Sequence, residues 1–304
     1  MPRKDSIDAF GAASLIGFAL LFAINQVVIK LTNDGIQPVF FAGLRSAGAA
    51  LLIWAWMVWR GSPPRFRREF LLPGLGIGLA FSFEFVCLFT ALDLTTVTRV
   101  SVIFYSMPVW LSLIGHFVLP GERLTRSKTI GLALAFAGVA WAILARGGPQ
   151  GEASLAGDLC ALGGALGWAG IALFARGTRL RESRPEMQLM WQLAVSVPIL
   201  LAASLFFGPF IRDLQPWHLM GMAFQIVVIA AGGFLFWLWV LTIYPAGQVA
   251  SFSFLSPVFG VALGWLLLGE RVGLPLLGAA ALVAAGLVLI NRRTPPPEAA
   301  VPPR

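Results

Sequence analysis

Ten predominantly apolar stretches follow one another along the chain, near 10–31, 38–59, 70–92, 98–119, 127–145, 154–176, 185–207, 216–242, 246–268 and 274–291. Crossing about 30 Å of hydrocarbon takes roughly 20 helical residues, so each stretch predicts a membrane-spanning helix. Turn-forming or charged residues separate them: Asn33-Asp34-Gly35, Gly61-Ser62-Pro63-Pro64, Pro120-Gly121-Glu122-Arg123, Arg146-Gly147-Gly148-Pro149, Gly208-Pro209 and Tyr244-Pro245-Ala246-Gly247. No gap is long enough for a domain outside the membrane. The opening Met1-Pro2-Arg3-Lys4 leads into the first stretch without a convincing cleavage site, so that stretch reads as a helix rather than a removable signal. The tail from Thr294, with Pro295-Pro296-Pro297, predicts disorder.

Composition agrees with this pattern. Of 304 residues, 58% are hydrophobic and 12% charged, against about 25% charged in a soluble domain. Water cannot be the solvent for so much apolar surface. The net charge of +8 does not point to nucleic acid, because the basic residues sit in short gaps between apolar runs. Arg3, Lys4, Arg60, Arg65, Arg67, Arg68, Arg123, Arg126, Lys128, Arg176, Arg179, Arg181, Arg184, Arg292, Arg293 and Arg304 fall on the side of the N-terminus; Lys30, Arg99, Arg146, Arg212 and Arg271 fall on the other. That bias predicts both termini in the cytoplasm. Cys87 and Cys160 lie inside apolar runs and read as small buried hydrophobes, with no metal site, disulfide framework or cofactor implied.

The two halves repeat each other. Met107-Pro108-Val109, Gly121-Glu122-Arg123-Leu124 and Gly138 recur in order as Ser256-Pro257-Val258, Gly269-Glu270-Arg271-Val272 and Gly286. Gly11, Gly17, Phe22 and Lys30 line up with Gly157, Gly163, Trp168 and Arg176. The expected fold is therefore an all-α integral membrane protein of ten transmembrane helices in two five-helix repeats, 1–148 and 149–293, with 294–304 as a disordered tail. Five is odd, so the second repeat must be inverted. Inverted repeats around a midplane site are the architecture of alternating-access transporters.

Several residues carry candidate chemistry. Glu84 is read as the only acidic residue deep in a span, where a charge costs about 2.5–3.5 kcal/mol even on lenient scales. It either lines a cavity, binding a substrate amine or a proton, or is a protonated or Arg-paired structural acid. Arg45 lies at a similar depth and reads as a gating or structural charge, with Glu84 as its candidate partner. Lys30 and Arg99, at helix ends, read as interfacial anchors. Thr98, Ser101, Tyr105, Pro108 and Ser112 share one face of the fourth helix, which either lines a cavity or hydrogen-bonds another helix. Pro108 and Pro257 each free a backbone carbonyl. Asn25 and Gln26 are uncharged polar groups at mid-depth. Trp168, Trp110, Phe81 and Phe83 could stack on a ligand or simply pack. Trp54, Trp56 and Trp59 form an interfacial belt. Gly163, Gly167 and Gly170, and Gly260 with Gly264, let helix backbones approach closely.

Phe22-Ala23-Ile24-Asn25 with Lys30, Arg45, Ala91-Leu92-Asp93-Leu94-Thr95, and the doubled signatures Pro108 to Glu122-Arg123 and Pro257 to Glu270-Arg271 resemble the drug/metabolite transporter superfamily in its EamA-type ten-helix branch. The resemblance covers nearly the whole chain. It implies a bacterial inner-membrane exporter or exchanger of amino acids and related metabolites. The abundance of aromatics is similar to the aromatic amino-acid exporters of that family. It further implies a central cavity lined by helices one, three, four, six, eight and nine. Substrate-binding candidates are then Asn25, Phe81, Glu84, Ser101, Tyr105, Pro108, Trp168 and Pro257, with a proton as candidate coupling ion and the lipid bilayer as surroundings. No phosphate-binding loop for ATP is present. An intramembrane enzyme would need clustered acids, histidines or a metal, whereas His116 and His218 stand near helix ends with no acidic cluster beside them. A passive facilitator or channel would share the same fold.

Overall fold

A computed structural model of the protein describes residues 7–120, 122–145, 154–244, 252 and 255–291. Gly121, the turn at 146–149, Pro245-Ala246-Gly247 and the tail from Thr294 lie outside the described residues. Those described form an integral membrane protein built from apolar helices. Nine are long enough to cross a membrane, and a tenth, Leu255–Leu268, is shorter. We name them α1 (Ala9–Asn33), α2 (Pro38–Trp59), α3 (Leu71–Leu94), α4 (Val97–Val118), α5 (Arg126–Leu144), α6 (Leu155–Gly177), α7 (Pro185–Ser204), α8 (216–243), α9 (Leu255–Leu268) and α10 (Leu274–Asn291). The face at which α1 begins is the near face, and the opposite one the far face.

Local chemistry sets the helix starts. The side chains of Asp8, Gln37, Thr96, Thr125 and Ser154 each accept a hydrogen bond from the first turn of the helix they precede, satisfying N–H groups that no intrahelical carbonyl can reach. Pro38, Pro185 and Pro216 occupy first turns, where a missing N–H costs nothing. Two spans are irregular. α4 consists of Val97–Phe104 and Met107–Val118, parted at Tyr105-Ser106, just where Pro108 cannot donate to the carbonyl one turn back. α8 widens into a π-helix over Gln225–Gly233, a form that concentrates at functional sites.

The main packing pairs recur when the two halves are exchanged. α2 meets α7, α4 meets α9, and α5 meets α10. α1 lies on α9 as α6 lies on α4, and α3 lies on α7 as α8 lies on α2. The second half begins at the far face, with α6, whereas the first begins at the near face, with α1.

Glycine permits the closest contacts. A Cβ added at Gly163 would lie 2.9 Å from Cys87 Sγ, and one at Gly167 would lie 2.9 Å from the Glu84 backbone. At α5–α10, a Cβ on Gly131 or Gly138 would sit 2.7 Å from a carbonyl of the partner helix. Between lipid-surrounded helices the attraction is van der Waals contact, which needs such approach. Gly167→Leu should therefore lower the thermal unfolding midpoint in detergent, by overpacking worth about 1–3 kcal/mol or more. Gly17→Ala, whose added methyl meets nothing within 4 Å, should leave the midpoint unchanged.

Candidate functional site

At the far face the ends of α3 and α4 are fastened by charged side chains from other helices. Lys30 Nζ, on α1, donates to the carbonyls of Leu92 (3.2 Å) and Thr95 (2.9 Å) where α3 ends. Glu270, in the α9–α10 connection, accepts from the N–H groups of Val97 (2.7 Å) and Thr98 (2.8 Å) where α4 begins. Each charge complements the helix dipole that it meets. Arg99 is 1% exposed and Asp158 is fully buried. Arg99 pairs bidentately with Asp158 (Nε–Oδ1 3.0 Å, Nη2–Oδ2 2.5 Å) and donates to the carbonyls of Ala142 (2.5 Å) and Ala145 (3.2 Å) at the end of α5. Arg212 joins Asp93 through two hydrogen bonds, and Gln37 Nε2 reaches the Ser204 carbonyl at 2.6 Å. Every residue from Thr95 to Ser106 is buried.

A second polar layer lies about 10–15 Å below the far ends of its helices, at about 1.5 Å per residue. Gln225, at the start of the π-helix, donates through Nε2 to Asn25 Oδ1 (2.5 Å) and accepts at Oε1 from Arg45 Nε (3.3 Å). The Arg45 guanidinium also lies 4.5 Å from the Phe85 ring centroid, a cation–π contact. Its Nη1 is enclosed and without a hydrogen-bond partner, as is Gln26 Nε2. The Glu84 carboxylate forms no hydrogen bond or ion pair among the described residues, and the residue is 6% exposed.

The other candidates surround this layer. Ser101 is fully buried; its Oγ donates to Gln26 Oε1 at 2.5 Å, and a Cβ on Gly260 would strike it. The polar face of α4 thus hydrogen-bonds another helix at Ser101 rather than lining open space there. Tyr105 Oη donates to the Phe22 carbonyl (3.3 Å) and also meets Ser256. Trp168 is half-buried, stacked on Phe104 and edge-on to Tyr105. Phe81 is buried and stacked on Phe85, whereas Phe83 is exposed on the helix surface. Pro108 is half-buried and Pro257 buried on α9. Trp110 packs on Phe136 and donates to Ser106. On the near-face half of α4, Met107, Trp110, Ser112 and Ile114 are half-buried.

Three sequence expectations are corrected. Arg45 and Glu84 make no ion pair; Gln225 and the Phe85 ring take the guanidinium instead. Arg99 is no interfacial anchor, because Asp158 and two helix-end carbonyls satisfy it inside the protein. Lys30 likewise caps α3 rather than reaching for headgroups. Gln225, Asp158 and the capping role of Glu270 escaped the sequence reading. A lone amide in an apolar run, and an acid one turn into α6, were the available signals. Among the described residues no group of acids, histidines and cysteines could hold a metal. Removing one partner of a buried ion pair costs about 3–5 kcal/mol, so Arg99→Leu should sharply lower thermal stability. Adding Asp158→Leu should restore part of it; an unchanged midpoint in the single variant would show that the pair is dispensable.

The chain matches the EamA-like transporter family twice, over residues 9–144 and 155–292. It is 29% identical to a probable amino-acid metabolite efflux pump of Escherichia coli (strain K12), covering 95% of both chains. It is 24% identical to the uncharacterized transporter YoaV of Bacillus subtilis (strain 168), over 90% of this chain and 94% of that one. A crystal structure of 20% identity shares the fold, with a TM-score of 0.64 over 92% of this chain and 97% of that chain. The family and these named relatives are transporters rather than enzymes. The protein belongs to the EamA-like transporter family, within the drug/metabolite transporter superfamily.

Proposed function

We propose that this protein is a secondary transporter that exports amino acids and related metabolites, aromatic or otherwise apolar, by alternating access. The observation that carries the proposal is the mid-depth polar layer beneath a fastened far face. Polar groups are costly in hydrocarbon and mark substrate and ion pathways. Here the Arg45 guanidinium keeps unpartnered nitrogen and the Glu84 carboxylate has no partner among the described residues, while the charged groups above them, Lys30, Arg99, Asp158 and Glu270, are each held by hydrogen bonds. The substrate class rests additionally on what the two efflux-pump relatives, from Escherichia coli and Salmonella typhimurium, are named for. The site lies between the repeats 1–148 and 149–293, with Asn25, Phe81, Glu84, Tyr105, Pro108, Trp168 and Pro257 around it. Ser101 joins it only when α4 parts from α9. Access in this state runs from the near face along the half-buried part of α4. With both termini cytoplasmic in a bacterial inner membrane, that is the cytoplasmic side, as an exporter loading its substrate requires.

Counterflow in proteoliposomes tests this reading. A carrier loaded with unlabelled amino acid should accelerate entry of the labelled one, and a pH gradient should show whether a proton is coupled. Entry indifferent to the internal load would instead identify a passive facilitator or channel. A reporter fused after Arg181 should face the cytoplasm; an outward signal there would break the inverted arrangement.

A further inference from the structure

We infer that Arg45 and Glu84 recognise the two ends of a zwitterion, the carboxylate and the ammonium of an amino acid. This rests on the transport reading above and specifies its site. Both side chains are buried, at 7% and 6% exposure, and they are near neighbours, because the guanidinium lies 4.5 Å from the ring of Phe85, the residue next to Glu84. Yet no nitrogen of one comes within ion-pair distance of an oxygen of the other, because Gln225 and Phe85 hold the guanidinium elsewhere. Separated opposite charges in a poorly polarisable interior are each undercompensated. A ligand of one charge would relieve one group and leave the other bare; a zwitterion relieves both. The guanidinium has donors to spare, since only Nε is hydrogen-bonded and Nη2, unlike Nη1, is not enclosed, and its fork matches a carboxylate. Glu84 is acceptor-only when ionised and suits an ammonium group. Phe85 and Gln225, itself held by Asn25, keep the guanidinium from collapsing onto the acid.

The test is competition in the counterflow assay, using L-phenylalanine, phenethylamine and 3-phenylpropionate. Each analogue lacks one charged end and should compete roughly 10- to 100-fold more weakly than the amino acid, the worth of one hydrogen bond to a charged group. Arg45→Gln should abolish the preference for phenylalanine over the amine. Glu84→Gln should abolish the preference over the acid. Should the three compounds compete equally against wild-type exchange, the zwitterion inference falls and the transporter reading stands. Should folded protein exchange no amino acid at all, the substrate reading and this inference fall together. The wild-type series decides the matter even if a variant does not fold.

A separate observation carries a second inference. In the repeat, Arg176 is the counterpart of Lys30, and Glu122 that of Glu270. At the far face, Lys30 and Glu270 reach into the α3–α4 tip and do not touch each other. At the near face, Arg176 and Glu122 pair with each other and are partly exposed. We propose that the two arrangements exchange during transport. In the opposite state Arg176 parts from Glu122 and caps the end of α8, while Lys30 and Glu270 close into an ion pair. One face is fastened while the other is released.

Spin-label distances read this directly, in protein carrying Cys87→Ala and Cys160→Ala. One label pair replaces Leu94 and Leu274 at the far face; the other replaces His116 and Thr242 at the near face. Glu270→Gln should add a longer far-face population together with a shorter near-face one, and Lys30→Gln should repeat that shift. Glu122→Gln should narrow the far-face distribution to its short component. Unchanged distances in both Glu270→Gln and Lys30→Gln, or shifts of the same sign in Glu270→Gln and Glu122→Gln, would overturn the exchange.

Discussion

Hydrocarbon offers no hydrogen bonds, so a polar atom placed within it must find its partner inside the protein. That constraint orders this structure. Where the α3–α4 tip meets the far face, charged side chains end on helix carbonyls, helix N–H groups or an opposite charge: Lys30 on α3, Glu270 on α4, Arg99 on α5 and Asp158. Helix ends are where backbone groups run out of intrahelical partners, and the same side chains that satisfy those groups tie neighbouring helices together. Stability and closure of that face come from one set of bonds.

The exceptions that involve charge lie at mid-depth; neutral side-chain atoms of Asn33, Thr90, Trp191 and His218 are unpartnered elsewhere. Arg45 Nη1 and Gln26 Nε2 have no partner, and Glu84 has none among the described residues. They stand close to the π-helical widening of α8 and the break in α4, the two places where the backbone departs from regular helix. Irregular backbone at membrane depth is tolerated where it is buried in protein or faces a cavity. Arg45 meets the first residue of the π-helix and Gln26 the last turn before the break in α4, and this junction of a partly unpaired charge with irregular backbone marks the site.

Much of this was legible in the sequence, and what was not has a common cause. The ten apolar runs, the break at Pro108, the glycine faces on α6 and α9 and the repeat register all follow from residue order. Counting residues from a helix end gives depth. It does not give azimuth, the direction in which a side chain points around the helix. Residue counting predicts Arg45 and Glu84 at similar depth, yet Arg45 points to Gln225 and Phe85. Ser101 and Tyr105 share a face, yet at Ser101 that face meets Gln26 and Gly260. Arg99 and Asp158 stand near the starts of two different spans, and only the packing of α4 on α5 and α6 brings them together. Glu270 was visible as one half of a repeated Gly-Glu-Arg signature, but its role depends on a helix start 173 residues earlier.

The central claim is that the mid-depth layer is reached from the near face while the far face is fastened. Ser112 lies on the Tyr105 face of α4 in its near-face half. With Cys87 and Cys160 replaced by alanine, Ser112→Cys can be challenged with a membrane-impermeant maleimide applied to either side of oriented vesicles. The account predicts labelling from the near face, slowed by added amino acid, with little from the far face. Labelling from the far face alone, or from the near face at a rate that amino acid leaves unchanged, would contradict it.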